Sequence, residues 1–182
     1  MVAAVVVMFY AGQVLATPRA IPYWNSAAIP LQFLLSSLAL SMATVMLMEV
    51  VKDRAVTAGQ LGVLAAFLAG LAGSIVGHLM TRRTVPGKSH SLELLVRGRY
   101  RIPFLGGVLT SGTILPAVLA LIAIAAGGSR DAISIIAFVI LVPAGFFLRL
   151  ITLRVGIFPP VRQIPAPNIR IRRDTAAAGS GP

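Results

Sequence analysis

The sequence predicts an all-α fold, a polytopic transmembrane helix bundle of about five membrane-spanning helices. Three observations predict it. Of the 182 residues, 57% are hydrophobic and only 12% are charged, with a mean hydropathy of +0.90. A soluble chain carries about 25% charged residues, and one of this length has no core large enough to hide so much apolar surface. The apolar residues fall in long runs, several of which reach the roughly 20 residues that a helix needs to cross a hydrocarbon layer about 30 Å thick. The cations lie between these runs and near the C-terminal end.

The first run, residues 1–16, is short, about 24 Å of helix at 1.5 Å per residue. A signal peptide usually begins with a basic region and ends in a small-residue cleavage site; here the start is bare, and Tyr10, Gly12 and Gln13 interrupt the run. The chain is therefore expected to open within a helix. A proline-punctuated turn follows, in which Arg19, Tyr23 and Trp24 suit a membrane–water interface. The second run, residues 27–51, places Ser37, Ser41 and Thr44 on one helix face, where their hydroxyls either bond across helices or return to the backbone.

In the third run, residues 59–80, Gly62, Ala66, Gly70 and Ser74 recur every fourth residue, with Gly73 and Gly77 beside them. Small residues at that spacing are expected to let helices approach closely in lipid. The fourth run, residues 103–126, and the fifth, residues 132–153, carry Pro116 and Pro143, each expected to kink its helix. The bundle is thus expected to occupy residues 1–157. Residues 158–182, rich in Pro and Arg and ending in small polar residues, read as a partly disordered tail.

Charge gives the expected orientation. One side of the alternating chain collects Arg19, then Arg82, Arg83, Lys88, Arg97, Arg99 and Arg101, then Arg154, Arg162, Arg170, Arg172 and Arg173. The other side holds Lys52, Arg54 and Arg130. The positive-inside rule puts the first side and the C-terminus in the cytoplasm and the N-terminus outside. The same placement argues against nucleic acid as the reason for the net charge of +11, because the cations flank apolar runs.

The chain has no cysteine, which excludes disulfides, thiolate-bound zinc and an iron–sulfur cluster held by this chain. No HExxH, P-loop, GxGxxG, GxSxG or paired-carboxylate pattern occurs. Ionisable groups within membrane spans are functional candidates by default. Glu49 reads as interface charge paired with Lys52 or Arg54. His78 falls near the end of the third helix, and the other histidine, His90, falls in a loop, so haem b is not expected. Arg149 lies inside the fifth helix, where it can snorkel or bind a carbonyl or carboxylate in the bundle. Tyr10 and Gln13, three residues apart, share a helix face. A phenol and an amide so placed can hydrogen-bond a quinone carbonyl or another helix.

These landmarks combine into a resemblance. FYAGQVLATPRAIPYWNSAAIPLQFLLSSL resembles the Tyr-Thr-Gly helix and Ile-Pro-Phe-Trp-Asn turn of the NrfD/polysulfide-reductase membrane-subunit family. ELLVRGRYRIPFLGGVLTSGTILP is similar to that family's Leu-Leu-x-Gly, Phe-(Trp)-x-Gly-Val and Gly-x-x-x-Pro helix entry. GFFLRLITLRVG is similar to its last helix, with Gly145, Arg149 and Gly156 at matching positions. Ala11, Tyr23 and Leu105 depart from the common Thr, Phe and Trp. The landmarks match the last five helices of an eight-helix member, so the resemblance implies a truncated, split or degenerate copy.

The resemblance implies an anchor in the bacterial cytoplasmic (inner) membrane that exchanges electrons between the quinone pool and an iron–sulfur subunit. That subunit would serve a catalytic, molybdopterin-type subunit. Quinone or quinol is then a bound substrate, with no haem or iron–sulfur cluster in this chain, and Tyr10 is the residue carried over from the family's quinone contacts, with Gln13 beside it. Two other readings stay open: a permease-like bundle, since kinked helices with small-residue packing suit transporters, and a structural anchor without a quinone site.

Overall fold

A computed structural model describes residues 2–17, 26–81, 95–126 and 129–156. Among them the protein is all-helical, with α1 (Val2–Ala16), α2 (Ala28–Val51), α3 (Ala58–Thr81), α4 (Ile102–Ala126) and α5 (Arg130–Val155). Each helix begins and ends within two residues of an apolar run in the sequence. Four of them, α2 to α5, are long and apolar enough to cross a membrane. α1, with 15 residues, is the short one. The expected tail lies outside the described residues, as do Arg19, Tyr23, Trp24 and His90.

α2 packs against α1, α3 and α5, and α4 closes the bundle against α3 and α5. The chain runs up and down. At one end the turn between α2 and α3 meets the start of α5, where the Val56 N–H donates to Asp131 Oδ1 at 3.4 Å. At the other end the start of α2 meets the end of α3, through Ser26 and His78. This second end also carries Arg97, Arg99, Arg101 and Arg154, and is called the basic end below.

Local chemistry explains the helix start at α3. The Thr57 hydroxyl accepts the Gln60 N–H at 3.3 Å, and Gln60 Oε1 accepts the Thr57 N–H at 2.9 Å. This reciprocal capping box satisfies two donors that the first turn leaves open. In the preceding turn Asp53 takes a left-handed conformation, φ 53°, one that Asp tolerates better than bulkier residues.

The core has two layers. Near the basic end Ile29, Phe33, Leu71, Ile75, Phe104, Leu148 and Ile151 are buried together. Toward the far end the buried layer is rich in alanine: Ala39, Ala43, Ala65, Ala120, Ala123 and Ala137, with Met46, Leu61, Leu64 and Leu68. Outward positions carry Val118, Leu121, Ile122, Val139 and Phe146. Apolar residues therefore lie on both faces of these helices, as expected where lipid replaces water. In lipid, helices associate by packing and hydrogen bonding rather than by escape from water, so small buried residues let backbones approach.

The closest approaches are made elsewhere than the sequence pattern indicates. A Cβ added at Gly12 would lie 2.5 Å from Pro30 Cα, so α1 meets the backbone of α2 there. One added at Gly112 would collide with Ala144 Cβ, where α4 meets α5. The α3 stripe does not do this work. Nothing lies within 4 Å of the Cβ positions of Gly62, Gly73 and Gly77, and Gly70 touches only the Leu35 side chain at ordinary contact distance. The repeat counts small residues but not how near each one comes to a neighbouring backbone.

The first half of α4, Ile102–Ile114, is a π-helix of 13 residues, and Leu115–Ala126 is α-helical. A π segment is usually a single turn. The side chains show the wider register: Thr110 and Thr113 hydroxyls donate to carbonyls five residues back, Leu105 and Val108, at 2.8 and 2.9 Å. In α2 and α5 the same residue types, Thr44 and Thr152, donate to carbonyls four residues back. Pro116 follows directly, and its ring clashes with the carbonyl four residues back in an ordinary α turn. Wider turns ahead of it relieve that clash.

Glu49 behaves as expected, pairing with Arg54 at 3.8 Å on the far end, where the Arg54 side chain is 68% exposed. Exposed pairs contribute about 0–1 kcal/mol. Glu49→Gln is accordingly expected to move the thermal unfolding midpoint by no more than about 3 °C, read by circular dichroism in detergent.

Candidate functional site

Polar groups inside the bundle gather in two places. The first lies at the basic end between α2 and α3. His78 is buried, and its Nδ1 lies 3.2 Å from Ser26 Oγ. One turn deeper, buried Gln32 donates from Nε2 to the Ser74 carbonyl at 3.4 Å. The Ser26 hydroxyl also accepts the Ala28 N–H at 3.3 Å, so it joins the start of α2 to His78. His78 stands out in the sequence but its partner does not, because Ser26 lies 52 residues away.

The second gathering lies between α2 and α5. Arg149 Nη2 donates to Ser37 Oγ at 2.8 Å, and Nη1 donates to the carbonyl of Gly145, one turn back in its own helix, at 3.3 Å. The guanidinium also sits over the Phe33 ring, 5.6 Å from its centroid, a favourable cation–π position. Among the described residues the one ion pair is Arg54–Glu49, so no carboxylate neutralises Arg149. Of the α2 hydroxyls Ser37, Ser41 and Thr44, Thr44 returns to its own backbone while Ser37 bonds across helices.

Beside this cluster, at the junction of the two core layers, a cavity of about 10 Å³ is lined by Ser36, Leu71, Val108, Gly112, Thr113, Leu141, Ala144 and Gly145. That is room for about one water. The π-helical half of α4 supplies one wall, and Gly145 connects the cavity to Arg149.

Tyr10 and Gln13 do share a face of α1, and that face is exposed: Tyr10 is 67% exposed and Gln13 is likewise open. Neither makes a hydrogen bond through its side chain to another helix among the described residues, and α1 itself packs on α2. Among the described residues no group of three or more His, Cys, Asp or Glu could hold a metal ion.

A bundle of long apolar helices, with polar groups at helix seams, defines a multi-pass membrane protein. The family model for polysulphide reductase, NrfD, matches residues 1–160, and the chain belongs to that family. Its members are membrane subunits of respiratory oxidoreductases and work with other subunits of those enzymes. No curated protein and no solved structure matches the chain.

Proposed function

We propose that this chain is the integral membrane anchor of a respiratory oxidoreductase, exchanging electrons between the quinone pool and an iron–sulfur partner subunit. The family match over residues 1–160 carries the reading. In this reading the iron–sulfur subunit in turn serves a catalytic subunit of the molybdopterin type. The basic end of the bundle faces the cytoplasm of a bacterial inner membrane, in keeping with the positive-inside rule.

Oxidation of one quinol to quinone releases two electrons and two protons, and an iron–sulfur cluster accepts the electrons singly. The chain's own part is to hold the headgroup, supply hydrogen bonds to its oxygens and set its distance from the partner. Tyr10 and Gln13 are the proposed donors on α1. Their exposure suits a ligand that arrives through the bilayer, since a phenol and an amide facing hydrocarbon gain from any hydrogen-bonding partner.

Tyr10→Phe removes the phenol while keeping the ring. In the intact complex it is expected to lower quinol-linked turnover about tenfold with assembly unchanged, the loss of one hydrogen bond at a buried headgroup. Turnover equal to wild type removes Tyr10 from the site.

A further inference from the structure

Arg149 is a cation inside a membrane-spanning helix, near its basic end. α5 has 26 residues, about 39 Å of helix against a hydrocarbon layer of about 30 Å. Arg149 stands six residues before Val155, about 9 Å from the helix end. A snorkelling arginine would reach outward to the basic end. This one reaches inward, because its bonds go to the Gly145 carbonyl, a turn back toward the membrane middle, and to Ser37, well inside α2. The fold thus turns the charge toward the bundle rather than toward the helix end.

Two of the five guanidinium N–H donors are used in these bonds, leaving three without a hydrogen bond among the described residues. They are not sealed inside the protein. Arg149 is partly exposed, and none of its nitrogens is both buried from solvent and without a hydrogen bond. Phe146 and Leu153, three before and four after Arg149 on the same helix face, are exposed and apolar. The open side of the guanidinium therefore lies in a lipid-accessible seam with an aromatic and an aliphatic neighbour.

A charged donor set flanked by apolar and aromatic surface complements a flat, apolar ring that bears carbonyl oxygens. We infer that Arg149, anchored by Ser37 and braced on Phe33, is a hydrogen-bond donor to the carbonyl oxygen of a quinone headgroup that enters from the bilayer between α2 and α5. The adjoining cavity of about 10 Å³ is too small for a ring, so the headgroup lies on the bilayer side of the guanidinium. This inference rests on the quinone-linked reading above and adds a contact on α5 to those proposed on α1.

The test titrates the full chain, purified in detergent with phospholipid, with a short-tailed naphthoquinone and follows thermal unfolding in parallel. Arg149→Gln is expected to weaken binding about tenfold or more, the loss of a hydrogen bond from a charged donor. Arg149→Lys, which keeps the charge but not the planar fork, and Ser37→Ala, which frees the guanidinium, are expected to weaken it by smaller factors. A tie that serves only to hold α2 to α5 would lower the unfolding midpoint of all three variants and leave quinone affinity at the wild-type value. That result overturns the inference while leaving the quinone-linked reading intact. No binding by the wild-type chain overturns both.

Discussion

Gly112→Val is expected to remove about 3 kcal/mol of stability, a large share of the margin of about 5–15 kcal/mol that holds a chain folded. The first carbon of any side chain at Gly112 collides with Ala144 Cβ and comes within 3.0 Å of the Gly107 carbonyl oxygen. Neither neighbour can rotate away: one is a methyl fixed to the α5 backbone, the other is backbone of the π-helix itself. α4 and α5 must separate, and the cavity between them must change shape. Gly73→Val is the matched control, since nothing lies within 4 Å of its Cβ position. It is expected to cost no more than about 1 kcal/mol, the propensity range for residues in a helix. Thermal unfolding of both variants in the same detergent checks the contrast, and equal midpoints would contradict it.

Leu64→Ala is expected to lower stability by about 2 kcal/mol, the bottom of the range for buried leucine in soluble proteins. Leu64 is fully buried in the far core layer, among Ala39, Ala43, Met46 and Ala120. In water the loss would combine a transfer term with a cavity term. A chain whose unfolded reference is still in lipid keeps only the second, because lipid tails are as apolar as leucine. Leu121→Ala, at a position 56% exposed, is expected to change stability little for the same reason. Denaturant titration of the two variants in lipid–detergent mixtures measures the difference.

The sequence makes much of this fold readable because the membrane imposes a length rule on apolar runs. Residues 27–51 and 59–80 correspond to α2 and α3 almost residue for residue. Face assignments were harder. Gly62, Gly73 and Gly77 carry a strong spacing signal, yet the close contacts fall to Gly12 and Gly112, which belong to no repeat. Spacing alone does not say which face meets a neighbour. The π-helix was also hidden, because IPFLGGVLTSGTI has an ordinary apolar pattern and register depends on backbone bonds. Its available signals were Pro116 just downstream and two threonines three residues apart, Thr110 and Thr113.

The candidate site was legible in pieces. Ser37 and Arg149 each stand out in the sequence, as a hydroxyl on an apolar helix and as a cation within a span. Their partnership crosses 112 residues and exists only once α2 lies against α5. Of the two roles open to Arg149, the inward one holds, through the Gly145 carbonyl and Ser37. Tyr10 and Gln13 share a face as their spacing requires, and that face is exposed.

The central claim is that this chain couples the quinone pool to an iron–sulfur subunit. The most direct measurement isolates the chain with its bound subunits from native membranes, adds a short-chain quinol, and follows reduction of the partner's clusters by electron paramagnetic resonance. Quinol is expected to reduce the clusters when the chain is present, and reduction is expected to be lost when the chain is deleted. Isolation of the chain without an iron–sulfur subunit, or unchanged cluster reduction in its absence, would contradict the account.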